Sequence, residues 1–251
     1  MRWVTNDEAA TRILFTTRDG VQVHAITVPA AEVRAAQAER VRMFDRSGLW
    51  PVILPTESAF DGFDEVARFV ENGVGTWAPP LVDILATAGA ADPETLFAFL
   101  RLQTTPLEDA DEPGAWDSFD ESEPTGRVAP VPERLLPKVR DAVIALFPVS
   151  ASEDIPAVLG WGDWNACPPA HRHVTVLAYW RQRYGAELWA MSNDTLELSV
   201  RNPPTTFTAA VELARQQYAY ASDIIDQGEH ESVGALARAL VDSEHWHFWW
   251  D

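Results

Sequence analysis

Apolar and polar positions first alternate in two runs near the start of the chain, Arg12-Ile13-Leu14-Phe15-Thr16-Thr17 and Val21-Gln22-Val23-His24-Ala25-Ile26-Thr27-Val28. Both read as strands, and Asp19-Gly20 between them is a hairpin-turn signal. Pro29 ends the second run. A helix is expected from Ala30 to Arg46, with Val33, Val41 and Phe44 near one face and Gly48 as its stop. Trp50-Pro51-Val52-Ile53-Leu54 reads as a short strand, in which Pro51 suits the first residues or a sheet edge. Residues 61–102 read as helix in pieces. Phe63, Val66, Ala67 and Val70 share one face, and Asp92-Pro93-Glu94 is a helix start capped by Asp92.

In the second half, Leu136, Val139, Val143 and Leu146 predict a helix over Glu133–Phe147. Pro156-Ala157-Val158-Leu159-Gly160-Trp161 reads as a buried strand. His173, Leu177, Trp180 and Tyr184 share a face of a helix running from Pro168 to Tyr184, which Gly185 ends. Residues 187–191 and 195–200 are strands joined by a turn at Asn193-Asp194. Pro203-Pro204 breaks the chain before a helix capped by Thr205 or Thr206, whose stripe is Phe207, Val211, Ala214, Tyr218 and Ala221. A shorter helix carries Val233, Leu236, Ala237 and Leu240, and the chain closes in the strand His245-Trp246-His247-Phe248-Trp249-Trp250-Asp251.

The fold class is therefore α+β: a mixed or mainly antiparallel sheet with helices packed on it. Both halves read hairpin, helix, strand, over residues 12–54 and 187–251. This suggests a structural pseudo-repeat without residue-level identity to support duplication. The boundary between them falls in residues 104–132. Eight acids (Glu108, Asp109, Asp111, Glu112, Asp117, Asp120, Glu121 and Glu123) lie there among prolines. Such a segment buries too little apolar area to offset its ordering entropy. It reads as an acidic linker or mobile loop, or as an acidic arm that docks a basic partner. The expected organisation is an N-terminal α+β region (1–103), the linker (104–132) and a C-terminal domain (133–251).

Composition narrows the function classes. The 251 residues carry 38 acids against 19 bases, a net charge of −19. A surface of that sign repels phosphate backbones and anionic lipids, so neither nucleic acid nor membrane is an expected partner. A basic protein partner, a metal or a cationic ligand fits the charge; solubility alone also accounts for it. With a single cysteine, Cys167, the chain has no intramolecular disulfide. The start of the sequence lacks a signal-peptide pattern, and no apolar run approaches the roughly 20 residues of a membrane span. The expected compartment is the cytoplasm. Lys138 is the only lysine, which with abundant alanine suggests a GC-rich bacterial genome. The 11 tryptophans supply buried area but also line ligand pockets and interfaces. Oligomeric state is not legible.

Three places could carry chemistry. On the terminal strand, alternation puts Trp246, Phe248 and Trp250 on one face and His245, His247, Trp249 and Asp251 on the other. The first face is aromatic core. The second holds two imidazoles pointing the same way beside a carboxylate, a set that suits a metal (His245, His247, Asp251) or a ligand, or is simply a half-exposed strand face. The loop Gly160-Trp161-Gly162-Asp163-Trp164-Asn165 sits before a helix. Asp163 and Asn165 offer oxygens, and Trp161 and Trp164 offer flat apolar surfaces. This suits a small ligand, with Trp249 and Asp251 as further contacts if the two segments converge; a locally hydrogen-bonded turn is the plainer alternative. Cys167 could be a thiolate near a helix start, or a small buried hydrophobe. His171 and His173 lie two apart on a helix and cannot readily chelate one ion; His173 reads as a satisfied core histidine. No phosphate-cradling loop, G-x-G-x-x-G, H-E-x-x-H or G-x-S-x-G is present, so no cofactor is indicated by motif.

Several segments in order carry a resemblance: Gly160-Trp161-Gly162 with Asn165, Trp180-Arg181-Gln182-Arg183-Tyr184-Gly185-Ala186, Asp194-Thr195-Leu196-Glu197-Leu198, Pro203-Pro204, Ala214, Gln217-Tyr218-Ala219-Tyr220, Asp223 and Trp246-His247-Phe248-Trp249-Trp250-Asp251. Over residues 156–251 the chain resembles the bacterial family known as domain of unknown function 4253. Gly48-Leu49-Trp50-Pro51-Val52 resembles a piece of a further N-terminal region that members carry. The resemblance implies no activity. Where relatives have Glu, Cys and Pro, this chain has Gln216, Ala221 and Ser222, which favours a structural or binding role for that helix.

Three function classes remain. The first is a binding protein, immunity-like or regulatory, whose acidity speeds association with a basic partner. The second is a small-ligand- or metal-binding enzyme using the 160–165 loop and the C-terminal strand face. The third is a structural module of a larger assembly.

Overall fold

The computed structural model describes residues 11–54, 79–104, 141–228, 230 and 232–251. The acidic 108–123 segment and the expected helix around Phe63–Val70 lie outside the described residues. The strands are β1 (Arg12–Thr16), β2 (Gln22–Pro29), β3 (Leu49–Leu54), β4 (Asp141–Pro148), β5 (Ala186–Met191), β6 (Thr195–Val200) and β7 (His245–Trp249). They form one sheet in the order β1-β2-β4-β3-β5-β6-β7. Every neighbouring pair is antiparallel except β3 and β5, which run parallel and meet at Ile53 and Ala190. The fold is α+β with a mixed sheet.

The helices are α1 (Val33–Ser47), α2 (Leu81–Ala90), α3 (Pro93–Thr104), α4 (Ile155–Leu159), α5 (Ala170–Tyr184), α6 (Phe207–Tyr220), α7 (Asp223–Asp226) and α8 (Val233–Leu240). Most are punctuated as the sequence predicts. α1 follows a short 3-10 turn at Ala30–Glu32 and ends on Gly48 at φ 65°, a left-handed position that glycine takes without strain. Asp92 caps α3 by accepting from the Thr95 N–H at 2.9 Å. Thr206 caps α6 by accepting from the Ala209 N–H at 3.3 Å.

Two elements differ from the sequence reading. The expected helix over 133–147 is a strand from Asp141 onward; residues 133–140 lie outside the described residues. Ala142 to Phe147 are buried without interruption, because β4 lies between β2 and β3 with both its faces covered. A strand buried on both faces shows no alternation, and Val143 and Leu146 fell on helical spacing by chance. The expected strand 156–161 is instead the short helix α4, entered through a 3-10 turn at Ser152–Asp154 and closed by Gly160 at φ 60°. A short, fully buried apolar run satisfies either template.

Pro51 sits inside an internal strand rather than at an edge. Its carbonyl accepts from Gln37 Nε2 on α1 at 3.3 Å. The missing N–H matters little there, since β3 and β5 pair two residues further on. At that junction the Trp50 indole N–H donates to the Leu188 carbonyl at 2.8 Å. β4 belongs to the C-terminal half of the chain yet pairs with both β2 and β3 of the N-terminal half. The halves also differ in topology: β3 runs in the same direction as β2, whereas β7 runs against β6.

One face of the sheet carries Val23, Ala25, Val52, Ala145, Leu188, Leu198, Trp246 and Phe248 into the main core with α3 to α8. The opposite face closes a smaller core of Ile26, Ile53, Ile144 and Ala190 under Val33 of α1. Burial of this kind contributes roughly 25 cal/mol per Å² of apolar area. No helix among the described residues is long and apolar enough to cross a membrane.

Candidate functional site

β7 alternates as its sequence predicts. Trp246 and Phe248 are buried, and Trp250 continues that face at 1% exposure. Trp180 of α5 stacks on Phe248 with 5.3 Å between ring centroids, and meets Tyr220 edge-on at 5.2 Å. Trp250 touches Tyr220, His173 and Trp161. The aromatic face of the tail is thus the centre of the core, locked through α5 and α6.

The opposite face carries His245, His247 and Trp249, all half-buried. Register places His247 directly across from Glu197 of β6, and His245 across from Ser199. Both imidazoles turn to the same carboxylate. His247 Nδ1 lies 3.0 Å from Glu197 Oε1, and His245 Nε2 is hydrogen-bonded to Glu197 Oε2. Glu197 is 0% exposed. Burial pushes its carboxyl up, but the hydrogen bonds from His245 and His247 outweigh this and hold it below the usual carboxylate range. An ionised Glu197 makes the two facing ring nitrogens donors. In a neutral imidazole the lone pair then sits on the other nitrogen, His245 Nδ1 or His247 Nε2.

A bulge in β5 between Leu188 and Ala190 brings Trp189 onto this same face, its ring 4.9 Å from that of His245. An extra residue in one strand re-aims a side chain in this way. The Arg34 guanidinium of α1 lies over the Trp189 ring, 5.3 Å from its centroid.

Asp251 is not part of the His245/His247 group. Its N–H donates to Asp223 Oδ2 at 2.9 Å, and its main-chain oxygen accepts from Asn165 Nδ2 at 2.5 Å. Among the described residues no group of three or more His, Cys, Asp and Glu side chains is placed to hold a metal ion. The 160–165 loop therefore converges with the end of the tail, on the side of the aromatic core. His245 and His247 lie on the other face of the sheet, so the two segments do not share one site.

The loop itself is tightly built. Gly160, Gly162, Asp163 and Asn165 all have positive φ, at 60°, 108°, 72° and 43°. The Asp163 N–H donates to the Pro168 carbonyl at 3.1 Å. Trp161 is fully buried and donates its indole N–H to the Ser192 carbonyl at 3.2 Å; Trp164 meets it edge-on at 4.9 Å. Trp161 is thus a core residue, while Asp163 and Asn165 are exposed.

Beneath the loop lies a buried set. His173 Nδ1 is 2.5 Å from Tyr220 Oη, and its Nε2 is 3.5 Å from Cys167 Sγ and also faces the Pro168 carbonyl. The carbonyl makes Nε2 the protonated nitrogen, so Nδ1 accepts from the Tyr220 hydroxyl. Complete burial lowers the His173 pKa to about 3. Burial also pushes the Cys167 thiol and the Tyr220 hydroxyl up. All three are neutral near pH 7, the state of a satisfied core network rather than an activated nucleophile.

Residues 143–251 match the family described as a domain of unknown function (DUF4253). The match begins at Val143 within β4, upstream of residue 156 where the resemblance starts. No curated protein and no solved structure matches the chain.

Proposed function

We propose that this is a binding protein of the bacterial cytoplasm, immunity-like or regulatory in kind, whose acidic surface associates with a basic protein partner. The observation that carries the reading is the net charge of −19. A field of that sign speeds encounter with a cationic surface and disfavours nucleic acid. The state of the reactive side chains supports it. Cys167 and His173 are closed in the core and held neutral, and the ring nitrogens of His245 and His247 that face Glu197 are spent on a buried carboxylate.

Affinity capture with the untagged-surface protein from its own cytosol, at low and at moderate salt, tests the reading. A basic protein retained at both salt levels is the expected result. Recovery of no protein, or only of acidic ones, overturns it. A second reading, a small-ligand enzyme, is favoured by one observation: two imidazoles whose ring orientation is fixed by one buried carboxylate.

A further inference from the structure

We draw no further inference here: the strongest candidate, the apolar surface patch of Phe99 and Leu102 on α3, is exposed, and nothing among the described residues shows what covers it.

Discussion

The Asn165 side-chain amide donates to the main-chain oxygen of Asp251 at 2.5 Å, joining the loop before α5 to the end of the tail across 86 positions of sequence. Asn165 also holds φ at 43°, a left-handed conformation that asparagine tolerates better than other residues with a Cβ. The two roles separate by substitution. Asn165→Ala loses the hydrogen bond and strains the backbone, and is expected to lower stability by about 2 kcal/mol. Asn165→Gly loses only the hydrogen bond, and is expected to cost about half as much. Urea unfolding midpoints of the two variants check this; equal losses would mean that backbone strain contributes nothing.

Gly162 makes a sharper case. Its φ is 108°, and a Cβ there would collide with the Pro168 carbonyl oxygen and come within 2.8 Å of His173 Nε2. Neither neighbour can retreat: the carbonyl accepts from the Asp163 N–H and His173 is held by Tyr220. Gly162→Ala is expected to destabilise by more than about 3 kcal/mol, the scale of overpacking added to backbone strain. Gly20→Ala, at a similar φ of 79° but with nothing within 4 Å of the added Cβ, should cost about 1–2 kcal/mol and serves as the comparison in thermal melts.

What the sequence made legible depended on local pattern. The two faces of β7 follow from alternation alone, because one face is buried and the other half-exposed. Punctuation by Gly48, Asp92, Gly185 and Thr206 marked helix ends correctly, because caps act within a few residues. β4 and α4 were misread where burial on all sides erased the periodicity that separates helix from strand. Glu197 was missed as a site residue for a different reason. An acid at an alternating strand position reads as solvent-facing, and its burial arises from pairing with His247, 50 positions later. The signal was faint but present: β6 carries one acid and β7 carries two histidines. Alternation placed His245 and His247 opposite the aromatic face, as the structure does; it also grouped Asp251 with them, and the expected meeting of the 160–165 loop with that whole face does not occur, because the loop joins Asp251 on the core side.

His173 gives the protein a defined pH dependence. Its pKa of about 3 lies below the ordinary 6.5, so between those values the unfolded chain binds a proton that the folded chain does not. Its contribution to stability is therefore complete above about pH 6.5 and declines as the pH falls toward 3, by at most about 1.4 kcal/mol per pH unit. Glu197 acts in a lower window, since its contribution is complete above the ordinary carboxylate value of 4.5 and is lost as the pH falls through its lowered folded value. Urea unfolding from about pH 7 to about pH 5.5 isolates the histidine window. His173→Gln is expected to be less stable at pH 7 and to flatten the slope; an unchanged slope would show that His173 does not stay neutral in the folded state.

Trp50 sits at the parallel join between β3 and β5. The indole N–H reaches the Leu188 carbonyl at 2.8 Å, while β3 and β5 pair at Ile53 and Ala190. Trp50 is 4% exposed and meets Phe44 edge-on at 5.0 Å. Trp50→Phe keeps an aromatic ring against Phe44 but removes the donor, leaving the Leu188 carbonyl without this bond. The expected loss is about 1–2 kcal/mol, the cost of one buried unpaired acceptor. The location of the loss is the more telling readout. If the indole bond stands in for ladder hydrogen bonds at this join, amide exchange should rise first at Ile53 and Ala190, ahead of the antiparallel pairs β2–β4 and β5–β6. A uniform rise across the sheet would mean that β3 and β5 open only when the whole sheet does, and that Trp50 contributes to the core as a whole rather than to the join.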